Sequence, residues 1–248
     1  MLDQPRSAAD YAIWAVALAL YVSDAAKLLS ARQLLLVEAG RGRLAAALSE
    51  TPYTIAGRVL VFAPLLRPDR GVFVALWGRP WLADVELART LERIEQLRTS
   101  LAAIRALAAC AFALLFIGGP VLTLLLGPAA AILCAAAAIY PAIAIAIATV
   151  WWRRRRLGLT AGRAATISLE ILLCPAFLPN LVRKITSSHT IEPDGAQLVV
   201  ATDDAREARD EFLERLAHRT EELIEDPSVD ADTARQLRSY LETVKAVR

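Results

Sequence analysis

The 248-residue sequence lacks any charged side chain between Arg105 and Arg153. A soluble domain of this length does not need so long a run, because its helices and strands alternate buried and exposed positions. Each half of the run, 101–126 and 129–152, is about as long as the roughly 20 apolar residues that cross a bilayer core. A Gly-Pro pair at 127–128 separates the halves where a tight turn is needed. The sequence therefore predicts a transmembrane hairpin in an integral membrane protein.

Residue types that carry chemistry are also scarce. The two histidines, His189 and His218, belong to no HExxH motif, and there is no P-loop, GxSxG or GxGxxG sequence. The three cysteines form no CxxC motif, and small buried hydrophobic positions explain them better than metal binding or a disulfide. They are Cys110, Cys134 and Cys174. No catalytic residue, metal ligand or cofactor is predicted, and an enzyme is the less favoured class.

Charge is distributed unevenly along the chain. Residues 1–190 carry a net charge of +9 and residues 191–248 carry −7. The basic part fits contact with anionic lipid headgroups, so membrane lipids are a predicted partner. Nucleic acid is not, because no aromatic-basic platform or known motif accompanies the positive charge.

The segments before the hairpin predict one more helix and a small sheet. Residues 1–32 contain an apolar run, 8–29, which spans the bilayer if its last charged residues sit at the interface. The rival interpretation is an amphipathic helix lying against the hairpin. Residues 33–82 contain short β-rich runs between Gly and Pro turns, which predict an antiparallel sheet of about four strands. Both faces of these runs are apolar, so we expect the sheet to pack on both sides.

The remaining segments read as helical. Within 84–156, a leucine-rich stripe starting at Asp84 runs into the hairpin without a breaker, which predicts a stalk helix. Residues 157–190 predict an amphipathic helix in the membrane interface and a loop, with a helix packed on the sheet as the equal alternative. Residues 191–248 predict an acidic cytosolic helical hairpin. Its two apolar seams could serve a protein partner or self-association.

The positive-inside rule gives these segments a direction. The arginine run that ends the hairpin places that end in the cytoplasm. The run is Arg153, Arg154, Arg155 and Arg156. The sequence thus predicts three transmembrane helices in the bacterial cytoplasmic membrane, with the N-terminus outside and the C-terminus inside.

A set of polar residues in apolar surroundings forms the candidate site. Charges near or within membrane segments are functional-site hypotheses, because they are costly there without a partner. We expect the set to meet at the inner interface, where it could bind an anionic headgroup. An interfacial salt bridge and snorkelling side chains are the structural alternative. The set comprises Asp24, Lys27, Arg105, Asn180, Arg183 and Lys184.

Two stretches carry a resemblance. Tyr21-Val22-Ser23-Asp24 closes the first apolar run, and residues 174–184 read CPAFLPNLVRK. Together they resemble a family of uncharacterised bacterial integral membrane proteins that share these signatures. The resemblance implies an inner-membrane location and no activity.

The predicted fold is thus a mainly α membrane protein with an inserted sheet and a C-terminal helical hairpin. Its predicted function is a membrane-anchored cytosolic platform that binds or assembles a partner. One alternative is a membrane enzyme, or enzyme subunit, acting on a lipid-linked anionic substrate. Another is an accessory subunit of a transporter, suggested by the Gly-Gly-Pro and Tyr-Pro breaks in the hairpin.

Overall fold

The computed structural model describes residues 8–40, 42–47, 54–55, 58–202 and 206–247. The chain is mostly helical with a small sheet region, which confirms that part of the prediction. The helices are α1 (Ala12–Ala25), α2 (Asp84–Ser100), α3 (Ala102–Ala113), α4 (Gly119–Leu126), α5 (Pro128–Arg153), α6 (Ala161–Leu173), α7 (Leu181–Thr186), α8 (Gly195–Thr202), α9 (Arg206–Glu225) and α10 (Ala231–Val247). The strands are β1 (Ala26–Leu29), β2 (Gln33–Gly40), β3 (Arg43–Ala47), β4 (Thr54–Ile55), β5 (Arg58–Phe62), β6 (Val72–Leu76) and β7 (Thr190–Ile191).

The five consecutive segments predicted from the sequence group into two compact units. The helical unit comprises Met1–Ala26, Pro64–Gly71 and Leu97–Thr186. The sheet unit comprises Lys27–Ala63, Val72–Gln96 and Ser187–Arg248. Each unit is therefore built from chain segments that are distant in sequence.

Two helices of the helical unit could span a membrane. Ala102–Leu126 and Pro128–Arg153 have 25 and 26 residues, and the most apolar window of each has a mean hydropathy of 2.3. Only 22% and 28% of those windows is buried inside the protein, whereas the core helix of a soluble protein would be mostly buried. Gly127 turns the chain between them with a φ of 85°, which a side chain would disfavour, and Pro128 starts α5.

The first predicted span is shorter than the sequence suggested. Helix α1 has 14 residues, or about 21 Å, against a bilayer core of about 30 Å. The chain becomes extended at Ala26 and continues as strand β1, so Lys27 lies in a strand. Among the residues that the structure describes, two rather than three helices are therefore long enough to cross on their own.

The helical pattern of backbone hydrogen bonds continues from the stalk into the hairpin. Helix α2 starts at Asp84, and Leu101 is the only residue between α2 and α3. The Leu101 N–H donates to Leu97 O at 3.0 Å, and the Leu101 carbonyl accepts from Arg105 N at 2.9 Å. A π-helical turn at Leu114–Gly118 precedes Pro120, which has no N–H to donate.

Two small sheets form the centre of the sheet unit. One has the order β1-β5-β4, and the other has the order β3-β2-β6-β7. The pairs β2/β3 and β2/β6 are antiparallel, while β7 adds to β6 in parallel. The sequence pattern located β2, β3, β5 and β6, although parts of the runs around β3 and β4 lie outside the described residues.

Both faces of β2 are covered, as its apolar pattern indicated. Leu34, Leu35 and Leu36 are all fully buried. Leu35 belongs to a core cluster with Leu29, Val61, Ala63 and Val72. Leu34 faces α8, where a Cβ added at Gly195 would come within 2.9 Å of the leucine side chain.

The C-terminal hairpin is formed by α9 and α10, which pack against each other. Asp230 starts α10 by accepting from the backbone N–H groups of Asp232 and Thr233 at 3.1 and 2.9 Å. The apolar seams are buried within the sheet unit rather than exposed, Leu216 and Leu237 completely. Their role in binding a partner or in self-association stays a prediction.

The segment 157–190 contains the amphipathic helix α6 and a buried stretch that follows it. Helix α6 buries Ala164, Ile167 and Ile171 within the helical unit, and it leaves Leu169, Leu172 and Leu173 exposed. The following 3-10 segment, Pro175–Asn180, and α7 are almost wholly buried. Arg183 and Lys184 were expected to face lipid headgroups, but only 2% and 7% of their surface is exposed.

Candidate functional site

Helix α1 runs antiparallel to α3 and α4. Near its start, Trp14 donates from Nε1 to Thr123 Oγ1 at 2.8 Å, and its ring lies over Gly119. Near its end, the Tyr21 ring lies 5.5 and 5.0 Å from those of Phe112 and Phe116. The N-terminal end of α1 is thus at the level of the Gly127 turn, and its C-terminal end is near the middle of the apolar helix Ala102–Leu126.

Arg183 is the central residue of the site at the end of α1. Its Nη1 donates to Asn180 Oδ1 at 2.5 Å and to the Tyr21 hydroxyl at 3.1 Å, and its Nη2 donates to the carbonyl of Pro64. The Tyr21 hydroxyl in turn donates to the carbonyl of Leu65 at 2.5 Å. The guanidinium and the phenol therefore donate to two carbonyls of a non-helical loop, those of Pro64 and Leu65.

Lys184 joins two other elements to the same place. Its Nζ lies 2.9 Å from Asp24 Oδ1 and 2.6 Å from Glu170 Oε2. It also lies 4.4 Å from the centre of the Phe177 ring, within the range of a cation–π contact. One ammonium thus ties α7 to the last turn of α1 and to α6.

Asn180 completes the end of α1. Its Nδ2 donates to the backbone carbonyl of Tyr21, the fifth residue from the C-terminal end of α1, at 2.9 Å. Two cations and an amide donor therefore surround the C-terminus of α1, where the helix dipole favours positive charge.

Two members of the predicted set lie elsewhere. Arg105 donates from Nη1 to the carbonyl of Asp69 at 3.0 Å, in a separate contact of the helical unit. Lys27 belongs to strand β1 of the sheet unit. The structure thus brings together Asp24, Asn180, Arg183 and Lys184, and we call these four, with Tyr21 and Glu170, the α1-terminal cluster.

The positively charged groups of the cluster are bound to other groups of the protein. The carboxylates of Asp24 and Glu170 offset the charge of Lys184, and Arg183 is bound to neutral oxygens. Only Asp24 Oδ2 and Arg183 Nε are buried in it without a partner. Across the residues that the structure describes, no group of three His, Cys, Asp or Glu side chains could hold a metal ion. This arrangement fixes backbone segments and offers little free charge to an anionic ligand.

Sequence reasoning missed Tyr21 and Glu170 as members of the site. In the sequence, Tyr21 suits an interfacial aromatic belt and belongs to a signature, and Glu170 belongs to the polar face of the amphipathic helix predicted within 157–190. The signal that could have found them is a polar side chain within an apolar segment, which has to find a partner. Their partners lie 162 and 14 residues away in sequence, so the pairing itself was not readable.

Comparisons with known proteins add no relative: no family model matches the chain, and neither the curated proteins nor the solved structures contain a match. The resemblance to a bacterial membrane-protein family therefore stays a prediction.

Proposed function

We propose that the chain is an integral protein of the bacterial cytoplasmic membrane whose helical unit anchors a cytosolic sheet unit that binds a partner. One observation carries the anchoring part. The helical unit presents large apolar side chains outward, with Trp152 91% exposed and Leu173 80% exposed, while it buries Arg183. Such a surface is stable in lipid and costly in water.

The packing of α1 supports the proposed topology. With the arginine run inside, the Gly127 turn lies outside. Because α1 is antiparallel to α3 and α4, its N-terminal end also lies on the outer side. Its exposed side chains include Ile13, Val16 and Leu18, which suit contact with lipid. In this proposal α1 is a short third helix that ends at the α1-terminal cluster.

The partner-binding part rests on the charged outer faces of α9 and α10. Because their apolar seams are buried, the surface left for a partner is rich in paired charges. Arg219 bonds Glu222 at 2.7 Å, and Lys245 bonds Glu221 at 2.8 Å. Exposed pairs of this kind contribute little to stability, so exchanging them for contacts with a partner costs little.

Crosslinking in intact membranes of the native cell tests this proposal, followed by purification in a mild nonionic detergent. We expect a crosslinked second protein, or a second copy, whose yield falls when crosslinking is done at salt concentrations rising to about 1 M, where screening acts over about 3 Å. The charge reversal Arg219→Glu should reduce its yield, whereas the control Trp152→Phe in the helical unit should not. A strictly monomeric protein without a crosslinked partner would contradict the proposal.

The alternative of an enzyme acting on a lipid-linked anion has less support. It needs cations that are free to meet a phosphate, and those of the α1-terminal cluster are buried and bound to internal oxygens. The transporter alternative also has less support. Gly119 of the Gly-Gly-Pro break has a structural role, because it leaves the space in which the Trp14 ring packs.

A further inference from the structure

A cleft of about 440 Å³ lies in the sheet unit between the segment after β6 and helix α10. This is within the size range of small-molecule pockets. The side chains that concern its chemistry are those of Arg79, Trp81, Gln236, Ser239, Tyr240 and Thr243. The cleft shares no residue with the α1-terminal cluster, and a role for it does not depend on the proposed function.

The wall formed by residues 78–82 is held in place by buried groups. Gly78 has a φ of 79°, and Asp194 Oδ2 accepts from the backbone N–H of Arg79 at 3.1 Å. Gln197 bonds both backbone groups of Leu82, donating to its carbonyl at 2.8 Å and accepting from its N–H at 2.9 Å. The wall is therefore fixed before any ligand arrives, which lowers the entropic cost of binding.

The opposite wall is anchored to the same aspartate. The Tyr240 hydroxyl donates to Asp194 Oδ1 at 3.0 Å. The hydroxyl is therefore already hydrogen-bonded, and the Tyr240 ring lines the cleft. With Pro80 and the Trp81 ring, it gives the cleft flat apolar surfaces. Such surfaces suit a planar or short apolar group.

None of the described residues that line the cleft is acidic. Arg79 is the one charged residue among those that line it, and it makes no ion pair with any residue the structure describes. Its Nη1 donates only to the carbonyl of Glu192, at 3.1 Å. A guanidinium has five donors, so most of its capacity is left for an anion.

Trp81 supplies an independent observation. Its indole Nε1 is buried, and it has no hydrogen-bond partner among the described residues. A buried donor without an acceptor is costly, so it calls for an acceptor that the described residues do not provide. An oxygen of a ligand bound by Arg79 would meet that need.

We propose that this cleft binds a carboxylate attached to a small planar apolar group. Arg79 would pair with the carboxylate, and the Trp81 indole N–H would donate to one of its oxygens. The flat walls would enclose the apolar group, while Gln236 and Ser239 supply further polar contacts. The carboxylate could belong to a free aromatic acid or to the C-terminal residue of a peptide, since both present the same chemistry.

The test uses the full chain in nanodiscs of zwitterionic lipid and ¹⁹F NMR of 4-fluorobenzoate. We expect 4-fluorobenzoate to bind saturably. The neutral 4-fluorobenzyl alcohol should bind at least about tenfold more weakly. N-acetyl-Gly-Phe and its C-terminal amide distinguish the two sources. If the peptide acid binds more tightly than the benzoate, the source is a chain terminus, and if less tightly, a free acid.

Variants separate the cleft from nonspecific binding. Trp81→Phe keeps the ring and removes the donor, and it should weaken binding of 4-fluorobenzoate by about tenfold. Arg79→Gln should weaken it at least as much. The matched controls Trp152→Phe and Arg235→Gln lie outside the cleft and should leave it unchanged. Equal affinity for the acid and the alcohol, no loss in Trp81→Phe with its fold retained, or no binding of any probe would each overturn the proposal.

Discussion

The two units place polar and apolar side chains in opposite ways. All but three of the exposed large apolar side chains belong to the helical unit, the exceptions being Leu28, Phe62 and Val85. The helical unit also buries Arg183 and Lys184, whereas the sheet unit keeps its lysines and arginines at least partly exposed where their exposure is described. The two units thus differ in which kind of side chain they leave on the surface.

The difference also changes what a buried charge does. In the helical unit, the buried guanidinium of Arg183 donates to a loop carbonyl, that of Pro64. In the sheet unit, the buried carboxylate of Asp194 organises a turn and a helix start. Substitutions at four places sharpen this comparison, in order of decreasing effect.

Arg183→Leu should be the most damaging change. It removes the Arg183 donor from the Tyr21 hydroxyl, from Asn180 and from the Pro64 carbonyl, which keeps only the Arg67 N–H, and we expect a loss of about 3–5 kcal/mol in the free energy of unfolding. Thermal unfolding in detergent measures it. Arg183→Lys should not restore stability, because one ammonium cannot reach all three acceptors. The exposed control Arg155→Leu should unfold like the wild type, and an unaffected Arg183→Leu would show that the buried guanidinium is not needed.

Gly119→Ala should come second. A Cβ at this position would lie 2.5 Å from the Trp14 ring, so α1 has to shift away from α4. We expect a loss of about 1–3 kcal/mol, typical of overpacking. Gly118→Ala is the matched control, because its Cβ would meet nothing closer than 3.6 Å. Limited proteolysis of α1 alongside thermal unfolding checks the effect, and equal behaviour of the two variants would refute this account of the packing.

The two carboxylates that bind Lys184 should differ in effect. The Asp24 side chain is 17% exposed and that of Glu170 is 34% exposed. Asp24→Asn should therefore cost about 1–3 kcal/mol, and Glu170→Gln about 1 kcal/mol or less. Equilibrium unfolding of the two variants under one condition gives the comparison. The reverse order would mean that exposure does not set the strength of these pairs.

Asp194 should give the sheet unit a pH dependence. Burial raises the pKa of its carboxyl above the ordinary value, although hydrogen bonds from Arg79 N and Tyr240 oppose this. The stability linked to a raised pKa is complete below the ordinary aspartate value and is lost as pH rises through the folded-state pKa. The stability of Asp194→Asn relative to wild type should therefore increase as pH rises from about 4.

Unfolding at several pH values, followed by a probe in the sheet unit such as Trp77 fluorescence, measures this small effect. Glu225→Gln, which changes an exposed carboxylate, serves as the control. A stability difference between Asp194→Asn and wild type that does not change with pH would contradict the burial argument.

The sequence revealed some of these features and concealed others for physical reasons. The hairpin was readable because a long uncharged run and a Gly-Pro turn are local signals. Strand β1 was not readable, because four residues that follow an apolar helix are too few to show an alternating pattern of polar and apolar side chains. Strand β7 has two residues and pairs with β6 across more than a hundred positions, so no local pattern marks it.

The candidate site was readable only as a set of residue types. Polar residues in apolar segments need partners, and four of the residues chosen on that ground lie together: Asp24, Asn180, Arg183 and Lys184. Arg105 and Lys27 met the same criterion and lie elsewhere, because the criterion does not say which elements come together. The partners of Arg183 include the backbone carbonyl of Pro64, and backbone groups carry no signature in a sequence.

Cysteine labelling in intact cells tests most directly whether the helical unit spans the membrane. In a chain with Cys110, Cys134 and Cys174 replaced by alanine, Ala129→Cys lies in the first turn of α5 and Arg155→Cys lies just beyond its end. A membrane-impermeant maleimide should label Ala129→Cys in intact cells and Arg155→Cys only after lysis. Labelling of both positions in intact cells, or of neither until lysis, would contradict a hairpin that crosses the bilayer with its arginines inside.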